Sequence, residues 1–527
     1  MREQILRELT EKRDQCVKHF RMSEKGVAAA VYPEPVHYEE NGEWKEIDNR
    51  LESATEEGRE IFTNKASDMK VRFASEAGDG DLVSVEKNGM KVSWEMEDPG
   101  DSDSGRARKK KCKFRVLTKE DHEEMIEFPE NTENEKGIET QKNEEETLDT
   151  DSIWPMLGVK NLVGEGIYEE ILDGADVQYI VQGQRLKENN CLKNPEAAQQ
   201  TLAFRFRHPG LQMQTEEDGS LGLYKEGEKV FWFEKPYMYD SEGIVSSDVT
   251  ITATEDVQGT RVVIEPDKDW LMEEGRSYPV MIDPMTETSK NYTSIEDTYV
   301  FTGGGVSEDP SKVYAHGSFI AGRLAGDGIA RALLKFKNLP AIGNGSIIYA
   351  ATMYIWQCGY SADKVSKIPL LAQEIISDWT EKDARWSNQP GVSGDILDYK
   401  EVGQVKNGNT ITITPIGFDV TRLVRKWYNT GVNRGIMVRS QVEFEENAYA
   451  RFYSSDYPHL SSNQYPGGIF YYRDVTGLED YLSFHEQPLG RAGTGYTNDY
   501  TGNVIWVHSD AETTGGTATA VIRHVYN

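Results

Sequence analysis

Strand-length runs of apolar or alternating residues, each closed by Gly, Asn, Asp or Pro, recur along almost all of this 527-residue chain. That pattern is the signature of short β-strands joined by turns. Glu296–Val300, Arg331–Phe336, Phe418–Thr421 and Ala450–Phe452 are such runs, and Asp378–Glu381 adds a tryptophan beside a turn. Two Asn-Gly pairs sharpen the reading. Asn41-Gly42 within Val36–Asp48, and Asn88-Gly89 within Leu82–Trp94, supply the two positive-φ positions that a tight hairpin needs.

The changes in pattern divide the chain. Residues 1–25 read as a short polar helix, with Ile5, Leu6 and Leu9 along one side. Residues 26–96 form a β-hairpin region. Residues 97–150 read as a disordered charged insert, basic over Arg106–Lys113 and strongly acidic from Glu120 to Asp149, with too few apolar residues for a core. Its Asp101-x-Asp103-x-Gly105 start hints at a calcium loop, but the twelfth position, where such a loop carries Glu, is Cys112. Residues 151–286 return to strands at sandwich spacing and close on Tyr278–Pro284, an edge-like strand between two prolines. Over 291–472 strands and turns alternate, and the one helical turn is Arg422–Tyr428, with Leu423, Val424 and Trp427 at helical spacing and Asp419 or Thr421 as cap. The fold class is mostly β and multidomain: a β-sandwich or jelly-roll module preceded by a β-rich region with a disordered acidic insert.

Charge and cysteine use narrow the function classes. The net charge of −31 sits mainly in the front half, which would repel nucleic-acid phosphates. Four separated cysteines support neither a zinc cluster nor a disulfide framework. No apolar run is long enough for a membrane span, and Met1–Arg7 lacks the apolar core of a secretory signal.

The runs from Glu296 to Phe452 together resemble the DNRLRE domain, also classed as carbohydrate-binding module family 96, over residues 291–472. The "VHY…NGEW.EIDN" opening and "YPV.IDP" close of the front half resemble the segment that precedes this module in large bacterial surface proteins. The tail at 473–527, with Tyr500-Thr501-Gly502-Asn503, is similar to the start of an Rhs/YD-repeat region. These resemblances imply a jelly roll, a polysaccharide or cell-wall glycan as partner, and a secreted or wall-associated place. In a full-length relative they also imply a downstream Rhs shell and toxin.

Sugar sites set flat aromatics against pyranose rings and planar polar groups against hydroxyls, and arginine pairs with sugar carboxylates. Trp379, Trp386, Tyr360, Tyr399 and Tyr428 are the candidate platforms. Asn388, Arg331, Lys335, Arg439 and Arg451 are their polar partners. The same residues have a packing reading: the resemblance implies core anchors at Trp379 and Trp386, and Arg331 and Arg451 lie inside apolar runs. Glu296 and Asp297, with Asp456, are candidate ligands of a structural calcium, the one cofactor considered.

Catalytic motifs are absent from the sequence: no His-Glu-x-x-His, no Gly-x-Ser-x-Gly, no phosphate-binding glycine loop. The expectation is a non-catalytic carbohydrate-binding, surface-attachment protein, the N-terminal portion of an Rhs-type surface or toxin-delivery protein. Two alternatives are a purely structural scaffold or plug of an Rhs shell, and a polysaccharide lyase or glycosidase using acids such as Asp378, Glu381 and Asp383.

Overall fold

The computed structural model describes residues 4–97, 110–118, 161–283, 285–287, 294–302, 318–403, 414–455, 465–474, 483–512 and 521–526, apart from short gaps in these spans and a few isolated residues beyond them. The chain is mostly β, built as several sheets, one of them curled into a half-barrel. Both Asn-Gly hairpins form. Asn41 and Gly42 take φ of 55° and 81°, and Asn88 and Gly89 take 52° and 72°, the paired left-handed conformation that matches strand twist.

One unit has two sheets over a shared core. An eight-stranded sheet combines Asp48–Glu56 through Met90–Met96 with Leu202–Arg207, Val249–Asp256 and Gly259–Pro266. An eleven-stranded sheet is centred on Val163–Leu172, Ala175–Gln182 and Arg185–Leu192. Phe73, Trp94, Tyr168, Tyr179, Phe204 and Phe231 are buried between them. Each such ring removed from water is worth about 2–3 kcal/mol. The strands from Asp48 to Met96 and those of the region read as 151–286 therefore share one core, because neither set contributes a sheet that can bury its own apolar face, whereas Val27–Val31 belongs to the second unit. Phe114–Val116, inside the span read as a disordered insert, is a strand paired with Val163–Leu172. The Phe114 ring stacks on Phe73 at 4.7 Å, which is what orders it. The Asp101–Gly105 fragment lies outside the described residues.

The second unit is a thirteen-stranded sheet wrapped around its own core. Its order runs Ile5–Glu8, Val17–Met22, Val27–Val31, Gly467–Asp474, Ser346–Ala362, Ala448–Tyr453, Ser318–Leu324, Gly328–Phe336, Ile436–Ser440, Lys367–Ile375 and Val392–Gly403. Ile295–Phe301 adds to Gly328–Phe336, and Thr414–Asp419 to Ser346–Ala362. Phe319, Phe336, Phe418, Phe452 and Phe470 fill the inside. The helix expected near 422–428 spans Thr421–Thr430 and turns Leu423, Val424 and Trp427 onto that core. Gly431 ends it at φ 68°. Asp419 Oδ1 accepts the Thr421 N–H at 2.8 Å, and Thr421 Oγ1 accepts the Ala351 N–H at 2.8 Å.

The described part of the span read as a helix, 1–25, is instead two strands of this same sheet, Ile5–Glu8 and Val17–Met22, with a single 3-10 turn at Thr10–Lys12 between them. Of the residues at helical spacing only Leu9 is buried, while Leu6 is 62% exposed. Val17–Met22 instead covers both of its faces, with Val17 in the main core and Phe20 and Met22 in an outer cluster. Val27–Val31 then pairs with Gly467–Asp474, joining the start of the chain to the end of the module. The tail forms a separate four-stranded meander of Phe484–Pro488, Thr494–Asn498, Val504–Glu512 and Val521–Tyr526.

Candidate functional site

Strand parity decides where the candidate residues go. Along Gly328–Phe336, Ala330, Ala332, Leu334 and Phe336 are buried, three of them in the main core. Arg331, Leu333 and Lys335 must then face outward. Val300 on one neighbouring strand and Met437 on the other join Leu333 there, and Trp379 and Ala384, from the segment Asp378–Gly391, close over them as a small outer core with Ile375.

The structure brings Trp379, Trp386, Arg331 and Lys335 together, but it uses them to hold that segment down. The Lys335 ammonium lies 4.6 Å from the Trp379 ring centre, 2.7 Å from Glu296 Oε2, and donates to the Trp379 carbonyl at 3.1 Å. Glu296 Oε1 accepts the Glu381 N–H at 2.6 Å, and Trp379 Nε1 donates to the Arg434 carbonyl at 2.8 Å. The Arg331 guanidinium lies 4.8 Å from the Trp386 ring centre and pairs bidentately with Glu443, both bonds at 2.8 Å. Its third bond, 2.9 Å, goes to Gln389 Oε1. Each cation–aromatic contact contributes about 1 kcal/mol. Both charges are balanced by carboxylates, so this cluster is a fastening first.

Asn388 belongs to the same fastening: its amide donates to the Asp383 carbonyl at 2.9 Å and its oxygen accepts the Arg385 N–H at 2.7 Å. Arg439 stands one strand further along and donates to Gln373 Oε1 at 2.7 Å. Tyr360 and Tyr428 pack against the main core, and their hydroxyls donate to the carbonyls of Val365 and Pro340 at 3.0 and 2.6 Å. Burial raises the pKa of both phenols. Tyr399 is exposed on the edge strand, its hydroxyl 2.8 Å from Glu401. Of the acids considered for hydrolysis, Asp378 pairs with Arg434 at 2.7 Å and Asp383 accepts the Thr380 hydroxyl at 2.5 Å.

Arg451 is set apart. It is exposed on the outer face of Ala448–Tyr453, two strands from Arg331, with its stem against Gly359, where an added Cβ would meet Arg451 Cβ at 3.1 Å. Among the described residues its side chain makes no hydrogen bond or ion pair, so its guanidinium is available to a planar anion. Tyr449 shares its face, and Phe444, 71% exposed, stands in the loop before the strand. Sequence reasoning missed Glu443 and Phe444 because that loop carries no periodicity. It is the pairing of Glu443 with Arg331 that places them.

The calcium pair does not converge. Glu296 and Asp297 are successive strand residues and point to opposite faces. Glu296 is held by Lys335, and Asp297, fully buried, accepts from the Ser454 hydroxyl and the Ser455 N–H, both at 2.8 Å. Asp456 lies outside the described residues.

Curated proteins similar to this chain include the tRNA3(Ser)-specific nuclease WapA of Bacillus spizizenii, the tRNA(Glu)-specific nuclease WapA of Bacillus subtilis subsp. natto and the tRNA nuclease WapA of Bacillus subtilis strain 168. Each is 23% identical over 450 residues, a match that covers 82% of this chain and 16% of theirs. Among solved structures, the N-terminal domain of the Streptococcus gordonii adhesin Sgo0707 aligns over 95% of this chain and 89% of that one at 9% identity and a TM-score of 0.09, too low to inform the fold. The region just described, residues 288–463, matches the family model of carbohydrate-binding module family 96.

Proposed function

We propose that this chain is a non-catalytic glycan-binding and surface-attachment region, with the module at 288–463 making the contact and the rest of the chain carrying it. The observation behind this reading is the family match over that module. The free Arg451 guanidinium supports an acidic polysaccharide as the ligand, since a bidentate arginine recognises a uronate carboxylate while Tyr449 and Phe444 offer apolar area to the rings. The resemblance of the tail to an Rhs/YD-repeat start supports a place outside the cell or at its wall, ahead of a larger, Rhs-type delivery body. The similarity to WapA proteins, of which the match covers 16%, is consistent with further chain beyond the module. It also keeps nucleic acid among the ligands to be tried, although the charge of −31 weighs against one.

A second reading, a scaffold that binds no glycan, is favoured by the way Trp379 and Trp386 are spent on Lys335 and Arg331. Affinity electrophoresis of the whole chain separates the two readings. The whole chain is required because Val27–Val31 completes the module's sheet. Retardation by an acidic polysaccharide, abolished in Arg451→Ala but kept in Arg439→Ala, fits the glycan reading. Unhindered migration through neutral and acidic polysaccharides, with native circular dichroism, would favour the scaffold.

A further inference from the structure

At the seam between the N-terminal strands and the His37–Glu40/Glu43–Glu46 hairpin, three side chains converge that neither the family match nor the glycan reading uses. His37 and Glu46 are direct cross-strand partners, and Glu8 ends the Ile5–Glu8 strand of the other sheet. One ligand-type atom from each lies within 4.8 Å of the others.

The histidine is unusual. It is fully buried, and its Nδ1 sits 2.6 Å from the Asp14 carbonyl oxygen. A carbonyl only accepts, so Nδ1 carries the proton and Nε2 holds a lone pair. That Nε2 is buried without a hydrogen-bond partner and looks at Glu8 Oε1, 4.0 Å away. A lone pair facing carboxylates has no donor between them, and such a buried acceptor is costly. Backbone anchoring of the far nitrogen is also how metal-binding histidines are oriented.

We propose that Glu8, His37 and Glu46 bind a single divalent transition-metal ion of the zinc type. Imidazole nitrogen and carboxylate oxygen are both ligands that zinc takes, at bond lengths of about 2.0–2.2 Å, and the nitrogen disfavours the hard cations Mg2+ and Ca2+. Closing the observed spacing to that geometry needs shifts of about 1 Å in side chains of which Glu8 and Glu46 are 21% and 53% exposed. Two cations already touch the carboxylates. Arg13 Nε and Nη2 pair with Glu8 at 2.6 and 3.0 Å, and Arg13 Nη2 and Lys18 Nζ reach Glu46 Oε1 at 3.1 and 2.7 Å. Both use the same oxygen of Glu46, leaving Oε2 to the metal, whereas Arg13 must yield Oε1 of Glu8. Arg13 is thus a competitor, and its removal tightens binding. Three protein ligands leave a fourth position for water, and the ion pins the hairpin to the N-terminal strand.

The test is calorimetric titration of the whole, chelator-stripped chain with Zn2+, with Co2+ absorption as a second readout. The expected result is one equivalent bound, tetrahedral Co2+ bands with nitrogen ligation, no competition from excess Mg2+, and binding weakened at least about tenfold in His37→Gln and in Glu46→Gln. Arg13→Gln binds more tightly than the parent. Absence of one-equivalent binding in the parent, or unweakened binding in both ligand variants, would overturn the assignment. So would equal weakening in Arg13→Gln and His37→Gln with lowered metal-free melting in both, which would mark the loss as structural.

Discussion

Two buried imidazoles at the N-terminal strands make this part of the fold acid-sensitive, by an amount that follows from their surroundings. His19 packs edge-on against Tyr472, with Nδ1 3.0 Å from its hydroxyl, and burial together with nearby Lys12 brings its pKa down from 6.5 to about 4, against a smaller opposing pull from Asp14. His37 is also lowered from 6.5 to about 4, by burial first, with Arg13 and Lys18 acting in the same direction and the Asp14 carbonyl and Glu8 opposing. A base with a depressed folded value binds fewer protons folded than unfolded between the two values, so stability falls as pH drops from about 6.5 to about 4. At about 1.4 kcal/mol per pH unit, each histidine costs up to about 3 kcal/mol, of which about 2 kcal/mol is already lost at pH 5. Hydrogen exchange followed by mass spectrometry, with a chelator present, reads the opening free energy of peptides covering residues 17–40, which contain both histidines. On going from pH 7 to 5, that free energy should fall by about 4 kcal/mol in the parent and by about 2 kcal/mol in His19→Gln. Equal losses in parent and variant, after correction for intrinsic exchange, would refute the argument.

Four further outcomes follow from the packing. Arg331→Ala leaves Glu443 unpaired and the segment over the outer core loosened, costing about 2 kcal/mol in urea unfolding, whereas exposed Arg451→Ala should cost less than about 0.5 kcal/mol. Equal effects would remove the distinction drawn between the two arginines. Glu188, buried and held by Trp94 and Asn190, has its pKa raised by burial, so its ionisation destabilises the fold as pH rises. Glu188→Gln should accordingly gain stability at pH 8 relative to pH 5, and a flat profile would contradict this. Gly164→Ala would place a Cβ 1.7 Å from the Asn49 carbonyl oxygen and should cost about 2–3 kcal/mol or block folding, as thermal melting would show. Deleting residues 1–31 bares the Gly467–Asp474 edge and should give concentration-dependent aggregation in light scattering, and a monodisperse product would argue against that pairing.

What could be read from sequence was local. Asn41-Gly42 and Asn88-Gly89 mark their hairpins because only such pairs tolerate two left-handed residues, and Trp427 with Leu423 and Val424 marks the helix because those residues share one face. The N-terminal strands were misread because Ile5, Leu6 and Leu9 imitate a helix stripe, while what settles their conformation is the distant Gly467–Asp474 strand, invisible to any window. The candidate site divides the same way. The residue types that build the outer core were legible, but the occupation of Trp379 by Lys335 and of Trp386 by Arg331 depends on strand order and parity. Phe114 shows the complementary failure: a composition that looks unstructured holds one ring with a preformed aromatic slot.

The antiparallel pairing of Val27–Val31 with Gly467–Asp474 also sets how the molecule carries load. Val27 lies opposite Tyr472 and Val31 opposite Gly468, so chain coming from the N-terminal side and chain leaving toward the tail depart from the same end of this ladder. Tension between them peels the ladder one bond at a time, and while it holds, everything between Val31 and Gly468 is out of the line of force. The clasp is a mechanical fuse: under tension between its two ends this ladder parts first, and the strands between Val31 and Gly468 stay unloaded until it does.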